Sequence, residues 1–398
     1  MTRLVLLDHA AGAPEADLLA PVSTARPLAE VRAGACLVRE RWAAALGVPV
    51  SGTVAARRLA GFDEPGAAPV LADDTVLAAG TIVALSHFAP SLAAVADGTH
   101  DTWTHAGTVV ASRLAGNTTV GAIRATGVAA GRLATTIDGW MLTQPWDLVG
   151  LLPAMLGADL LHLANESAAP AALPPDVRVL GSHPVRIAES AVIEPFVVLD
   201  ATQGAILVGE HTLVRSFSRL AGPFVLGRHS QWMGGSGQTV SIGDHCRANG
   251  EMSTTIMCGH ANKGHDGFVG HSYLGRWTNL GAGTVTSNLK NTYGTVSFAG
   301  ADTGLQFLGS ILGDHAKTGI LTRLTTGSSI GAGANVISDD VVLSVVPAFA
   351  WGSRGDRYDR ERFLQTAERV MARRKVTLTA AMRGCLAAVH ESVTGPRR

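Results

Sequence analysis

The sequence predicts an α/β domain followed by a parallel β-helix with C-terminal helices. Three observations predict it. A buried strand, a helix and a second buried strand follow one another in the first part of the chain, the order that builds parallel α/β pairing. From about residue 178, aliphatic residues return every six positions. From residue 359, apolar residues fall on one face of a helical period.

The N-terminal part reads as follows. Residues 3–7 (Arg-Leu-Val-Leu-Leu) form a buried strand, residues 28–46 a helix with Leu28, Val31, Ala35, Leu37, Val38 and Trp42 on its apolar face, and residues 76–85 a second buried strand. The sheet of this domain ends before about residue 140, and a helix spans 147–163 after Pro145. The Ala/Pro-rich stretch Ala168–Pro175 reads as a linker. These features give domains at 1–167, 178–350 and 358–398.

Six is the period of neither a helix nor a single strand. It fits a coil of three short faces, each donating one inward aliphatic residue, with glycines at the corners and apolar ladders running between coils. The inward series are Ile187, Ile193, Leu199; Val208, Val214, Leu220, Leu226; Leu274, Leu280; and Leu312, Leu324, Ile330, Val336, Val342, with Thr318 filling one place. The phase is poor between about 228 and 268, which predicts a loop interrupting the solenoid. After Val346 the repeat stops, and amphipathic helices over 359–375 and 377–391 are expected to cap the solenoid or pack on a neighbouring subunit.

Composition sets the function classes. Lys plus Arg is 32 and Asp plus Glu is 32, so the net charge is zero and no basic field points to nucleic acid. No apolar run is long enough to span a membrane, and none resembles a signal peptide. Cys36, Cys246, Cys258 and Cys385 form no C-x-x-C pair, so free thiols in a reducing, cytoplasmic setting are expected.

The densest chemistry lies in 258–291, with His260, His265 and His271 among small residues. A histidine between coils serves as a general base at neutral pH, and glycine-rich corners offer N–H groups to an oxyanion. The repeat resembles the hexapeptide-repeat family, whose coils wind left-handed and whose members are trimers with sites between subunits. That implies a left-handed parallel β-helix in a homotrimer with three equivalent sites.

The run Lys263-Gly264-His265-Asp266-Gly267-Phe268, continuing into Asn279-Leu280-Gly281-Ala282-Gly283-Thr284 and Ser287-Asn288, is similar to the acetyltransferase half of the bifunctional N-acetylglucosamine-1-phosphate uridylyltransferase family. The resemblance implies His265 as catalytic base, Asn288 positioning the acceptor, and Lys263 near an acidic group. His315 and Lys317 form a second polar pair able to contact a CoA phosphate. A less characterised branch of sugar nucleotidyltransferases is similar over nearly the whole chain, including Leu19–Gly34, Val38–Trp42, Gly313–Thr318 and Glu368–Arg374.

The resemblance implies a degenerate nucleotidyltransferase-like N-terminal domain. Where the family carries a Gly-x-Gly-Thr-Arg loop, this chain reads Asp8-His9-Ala10-Ala11-Gly12-Ala13-Pro14, and Ser86-His87 stand where a Mg²⁺-binding aspartate is sought. Arg26, with Arg32, is expected to grip a phosphate. The expected ligands are acetyl-CoA or another acyl-CoA, a sugar phosphate or nucleotide sugar, and a nucleoside triphosphate with Mg²⁺. Two rival readings remain: a γ-carbonic-anhydrase-like metal site from His260, His265 and a third ligand such as His229, and a non-catalytic ligand-binding scaffold.

Overall fold

The computed structural model describes residues 3–9, 17–94, 100–129, 131–166, 173–338, 340–352 and 356–395. The loop at 10–14 and most of the linker at 168–175 lie outside them.

The first strand, Leu4–Leu7, is wholly buried and sits between Val50–Val54 and Ile82–Leu85, parallel to both. The sheet continues through Thr108–Arg113, Thr102–His105 and Ala134–Thr136, with two antiparallel pairings, so it is mixed rather than purely parallel. The strand expected over 76–85 is two strands, Val76–Leu77 and Ile82–Leu85, parted at Gly80, whose φ of 85° a side chain would resist. The helix expected over 28–46 is shorter. A 3-10 turn at Leu28–Glu30 and a tight hairpin pairing Arg32–Ala33 with Cys36–Leu37 come first, and the α-helix is Val38–Leu46. Helix periodicity ran through the hairpin because the two share one buried face.

Helices Asp147–Gly150 and Leu152–Glu166 follow. Asp159 in the second pairs with Arg41 and accepts the Ala35 N–H at 2.8 Å, while Arg41 donates to the Ala33 and Pro90 carbonyls. A buried cation with its donors satisfied in this way fixes the helix against the hairpin.

The solenoid runs from Arg178 to Val346, every coil pairing in parallel with the next. One inward column is continuous from bottom to top: Ile187, Val208, Leu226, Ile242, Met257, Leu274, Leu312, Ile330 and Val346 are successive register partners. All the six-spaced aliphatic residues are buried in one core, each worth roughly 1.5–3 kcal/mol of transfer free energy. The expected interruption over 228–268 is absent. Gln231–Ile242 and Arg247–Met257 are long strands that carry the coil on without a break. The phase fails there because each strand turns a corner, at Gly234–Gly235 and Gly250, and the inward places pass to Trp232, Val240, Ala248 and Met252. The excursion from the solenoid lies later, over 289–309, closed by the antiparallel bridge Leu289↔Phe307.

The C-terminal helices are Arg360–Arg373, capped by the Asp359 side chain, and Ala380–Thr394, capped by Thr379. Phe363, Leu364, Met382 and Leu386 share a core with Ala25, Leu59 and Phe62 of the N-terminal part and Ala332 and Phe349 of the solenoid. They join the two larger units within one chain. No helix among the described residues is long and apolar enough to cross a membrane.

Candidate functional site

Asn288 stands on the solenoid beside His271, its side-chain amide 2.8 Å from Nδ1. The Phe307 ring, brought back by the 289–309 excursion, stacks on the imidazole at 5.2 Å between centroids. Burial holds His271 below its ordinary value of 6.5, so the ring is neutral at pH 7. Gly270 is required next to this pair, since a Cβ there would meet Asn288 Nδ2 at 2.8 Å.

His265 is exposed and lies apart from that pair, in a cavity whose other polar walls are Gln231, Arg247, Asn262, Arg373 and Arg374. Lys263 is fully buried and turned inward. Its ammonium donates to the carbonyls of His265, Asp266 (2.7 Å) and Asn249 (3.4 Å). Burial brings its pKa down to about 8. Lys263 therefore holds the turn that presents His265, and its cationic end does not face an acidic ligand. Asn288, expected to act with His265, is brought to His271 instead.

Arg26 is buried with all three guanidinium nitrogens engaged: Nε on Asp314 at 2.7 Å, one terminal nitrogen on Glu64, and the other on the Glu30 carbonyl at 3.2 Å. Glu64 also receives Arg276 at 2.8 Å and the Trp277 indole N–H at 3.1 Å. The expectation that Arg26 grips a phosphate gives way to an internal role, tying the N-terminal part to the solenoid. Arg32 donates Nε to Ser241 Oγ at 2.8 Å and lines a cleft of about 900 Å³ between the two units. Arg39, Arg186, Arg228, Arg276 and Glu40 line the same cleft.

His315 is 2% exposed, stacks against Trp277, and has both ring nitrogens buried without a hydrogen-bond partner. Burial drives its pKa down to about 3. The Lys317 ammonium donates to the His315 carbonyl at 2.9 Å. With its imidazole enclosed and edge-on to Phe363, His315 has no open face for a CoA phosphate.

The metal reading meets a different arrangement. His211, His229, His245, His260, Trp277 and His315 occupy the same corner of successive coils, all with positive φ. Their rings stack, with 4.9, 4.8, 4.6 and 4.1 Å between centroids from His211 up to Trp277. Nitrogen lone pairs lie in the ring plane, so stacked imidazoles point them side by side, not at one ion. Among the described residues no group of three or more His, Cys, Asp or Glu is placed to hold a metal.

At the carboxyl ends of the parallel strands, where open α/β sheets bind ligands, the residues are Asp8, His9, Ser86 and His87, all buried. Asp8 accepts the Leu28 N–H at 2.8 Å. Burial raises it to about 7, and burial with His9 lowers His87 to about 4. A nucleotidyl-transfer Mg²⁺ needs carboxylate oxygens open to the nucleotide. Among the described residues, one enclosed carboxyl beside imidazoles does not fit it.

Residues 13–168 match the family model described as sugar nucleotidyl transferase. The chain is also similar to bifunctional GlmU proteins. It is 27% identical over 174 residues to the one from Bartonella quintana, covering 42% of this chain and 34% of that protein. It is 28% identical over 187 residues to the one from Paracidovorax citrulli, covering 46% and 33%. The matched part thus spans about a third of the length of these relatives. A solved structure of an Arabidopsis UDP-N-acetylglucosamine acyltransferase aligns at 12% identity, covering 58% of this chain and 98% of that one, with a TM-score of 0.19. The chain is thus similar to sugar nucleotidyl transferases over residues 13–168 and to GlmU proteins over less than half of its length.

The sequence holds three Gly-His pairs, Gly259-His260, Gly264-His265 and Gly270-His271, and the resemblance pointed to the second. A signal for His271 was present: it lies just before the Tyr273–Leu274 strand, one coil below Asn288.

Proposed function

We propose that the chain is an acyltransferase that moves an acyl group from acetyl-CoA or another acyl-CoA to a phosphorylated sugar or nucleotide sugar, with His271 as general base. The observation that carries it is the contact between His271 and Asn288. Turning the Asn288 amide so that its oxygen accepts Nδ1–H leaves Nε2 with a free lone pair. That nitrogen takes the proton from the acceptor amine or hydroxyl as its N or O bonds to the thioester carbonyl carbon. The C–S bond then breaks, and the CoA thiolate leaves with a proton. The cleft at Arg32 is where the N-terminal part holds the nucleotide or sugar phosphate. Among the described residues Asp8 and His87 offer Mg²⁺ no open carboxylate, which favours binding over nucleotidyl transfer in that part. Three copies of the chain assemble as a ring, which light scattering measures.

The test is release of CoA from acetyl-CoA in the presence of a panel of amino-sugar phosphates and UDP-sugars, comparing wild type, His271→Ala and His265→Ala. Transfer lost in His271→Ala and kept in His265→Ala supports the proposal. Transfer lost only in His265→Ala moves the base to His265. No transfer by wild type, with stoichiometric zinc in the purified protein, sinks the acyl reading in favour of metal-dependent hydration.

A further inference from the structure

The helix Arg360–Arg373 ends over the solenoid face that carries His265. Arg373 in its last turn and Arg374 just beyond it line a cavity of about 290 Å³ together with Gln231, Arg247, Asn262 and His265. That volume stands at the lower end for ligand cavities, roughly 300–1,000 Å³. Its walls hold three guanidiniums, an imidazole and two amides, and no carboxylate.

The arginines come from two separate elements. Arg247 begins a solenoid strand and is fixed by its own donors, to the His229 carbonyl at 3.1 Å and the Cys246 carbonyl at 2.9 Å. Arg373 and Arg374 close the C-terminal helix. A helix C-terminus favours cations, which accounts for the last two but not for bringing them onto Arg247. Among the described residues no carboxylate pairs with any of the three, although most other arginines packed between elements here have one. The strain shows in their protonation. Burial and then Arg374 hold Arg247 below its ordinary value, and burial, with Arg373 adding to it, holds Arg374 below its own. Like charges gathered in a half-enclosed space without counter-charge are costly, and a dianion between them removes that cost while receiving directed N–H donors.

We infer that this cavity binds the phosphate group of a ligand, held by Arg247, Arg373 and Arg374 with His265 at the mouth. Lys263, by holding the His265 and Asp266 carbonyls, fixes the turn on which His265 stands. This site is separate from the His271 pair and does not rest on the acyl-transfer reading.

The experiment uses the full chain and three probes, inorganic phosphate, CoA and glucose 1-phosphate, with thermal unfolding and calorimetric titration. Wild type is compared with Arg247→Gln, Arg374→Gln and Arg374→Glu. The expected result is that at least one probe binds wild type and raises Tm through mass action, with binding weakened tenfold or more in both glutamine variants and abolished in Arg374→Glu. The probe that binds tightest identifies what carries the phosphate. Arg374→Glu is also expected to melt no lower than wild type without ligand, because it pairs with Arg247. No binding of any probe by wild type, or equal binding by folded Arg247→Gln and Arg374→Gln, overturns the inference. Acetyl transfer measured on the same preparations reads the other proposal separately: transfer without phosphate binding sinks only the cavity, and phosphate binding without transfer supports the cavity alone.

Discussion

Arg26 Nε meets the Asp314 carboxylate at 2.7 Å across 288 positions of sequence, inside the protein. Glu64 on the other side of the same guanidinium makes a buried cluster that also takes in Arg276 and Trp277. Arg26→Met leaves the buried Asp314 carboxylate without its cation and Glu64 with Arg276 alone, and is expected to cost about 3–5 kcal/mol, read by urea unfolding. Burial raises the Glu64 pKa, but Arg26 and Arg276 more than offset it and bring it down to about 2 from 4.5. That stabilisation is present above pH 4.5 and is lost as pH falls toward 2. In Arg26→Met the acid unfolding midpoint is expected to move up in pH.

Replacing His271 by Ala is expected to lower kcat by about 10²–10⁴-fold, the usual contribution of general base catalysis. Asn288→Ala, which leaves the imidazole free to turn, is expected to have a smaller effect and to be partly rescued in Asn288→Asp. Because burial lowers the His271 pKa, the acid limb of kcat/KM is expected below the ordinary histidine value of 6.5. A limb above that value would remove His271 from the role.

Lys263→Met removes a buried ammonium that serves three carbonyls. Hydrogen bonds to charged groups contribute about 1.5–3 kcal/mol, so a loss of roughly 2–4 kcal/mol is expected. Hydrogen exchange should speed up first at residues 265–267. An unchanged Tm with unchanged exchange would show that the turn holds without the ammonium.

Asp8 tests the N-terminal part. Its folded-state pKa is raised from 3.8 to about 7, so the folded protein keeps a proton that the unfolded chain releases. Stability is then greatest below about pH 4 and falls as pH rises to 7, by up to about 4 kcal/mol at 1.36 kcal/mol per pKa unit. Asp8→Asn keeps an oxygen for the Leu28 N–H and is expected to abolish that slope. The gain over wild type should grow between pH 4 and 8 in denaturant titrations.

The solenoid was legible because its inward residues repeat at a spacing that survives in the letters: Ile187, Val208, Leu226 and their successors are aliphatic in nearly every coil. It became illegible over 228–268, where glycine corners lengthen the strands and Trp232, Ala248 and Met252 take the inward places. The candidate site was legible in residue type and only partly in partnership. The choice between His265 and His271 turns on which side of a coil each faces, and the contact that decides it crosses coils, from Asn288. Arg26 illustrates the converse. The family resemblance offers Arg26 as a phosphate ligand, but Asp314, 288 positions further along the chain, fills the place.

The stacked rings at one corner of the solenoid also act as a gauge on how this protein can change length. The rings from His229 to His260 each stack on the rings one coil above and below, so inserting or deleting a whole coil keeps the stack in step. The rings from His211 to Trp277 are nonetheless 18, 16, 15 and 17 residues apart, so a coil can gain or lose a residue or two away from this corner and still return its ring to the stack. Viable length variants of this chain should therefore spare the ring corner and place their changes at other corners, such as Gly234–Gly235 and Gly250, or in excursions such as 289–309 that leave the coil and rejoin it in register.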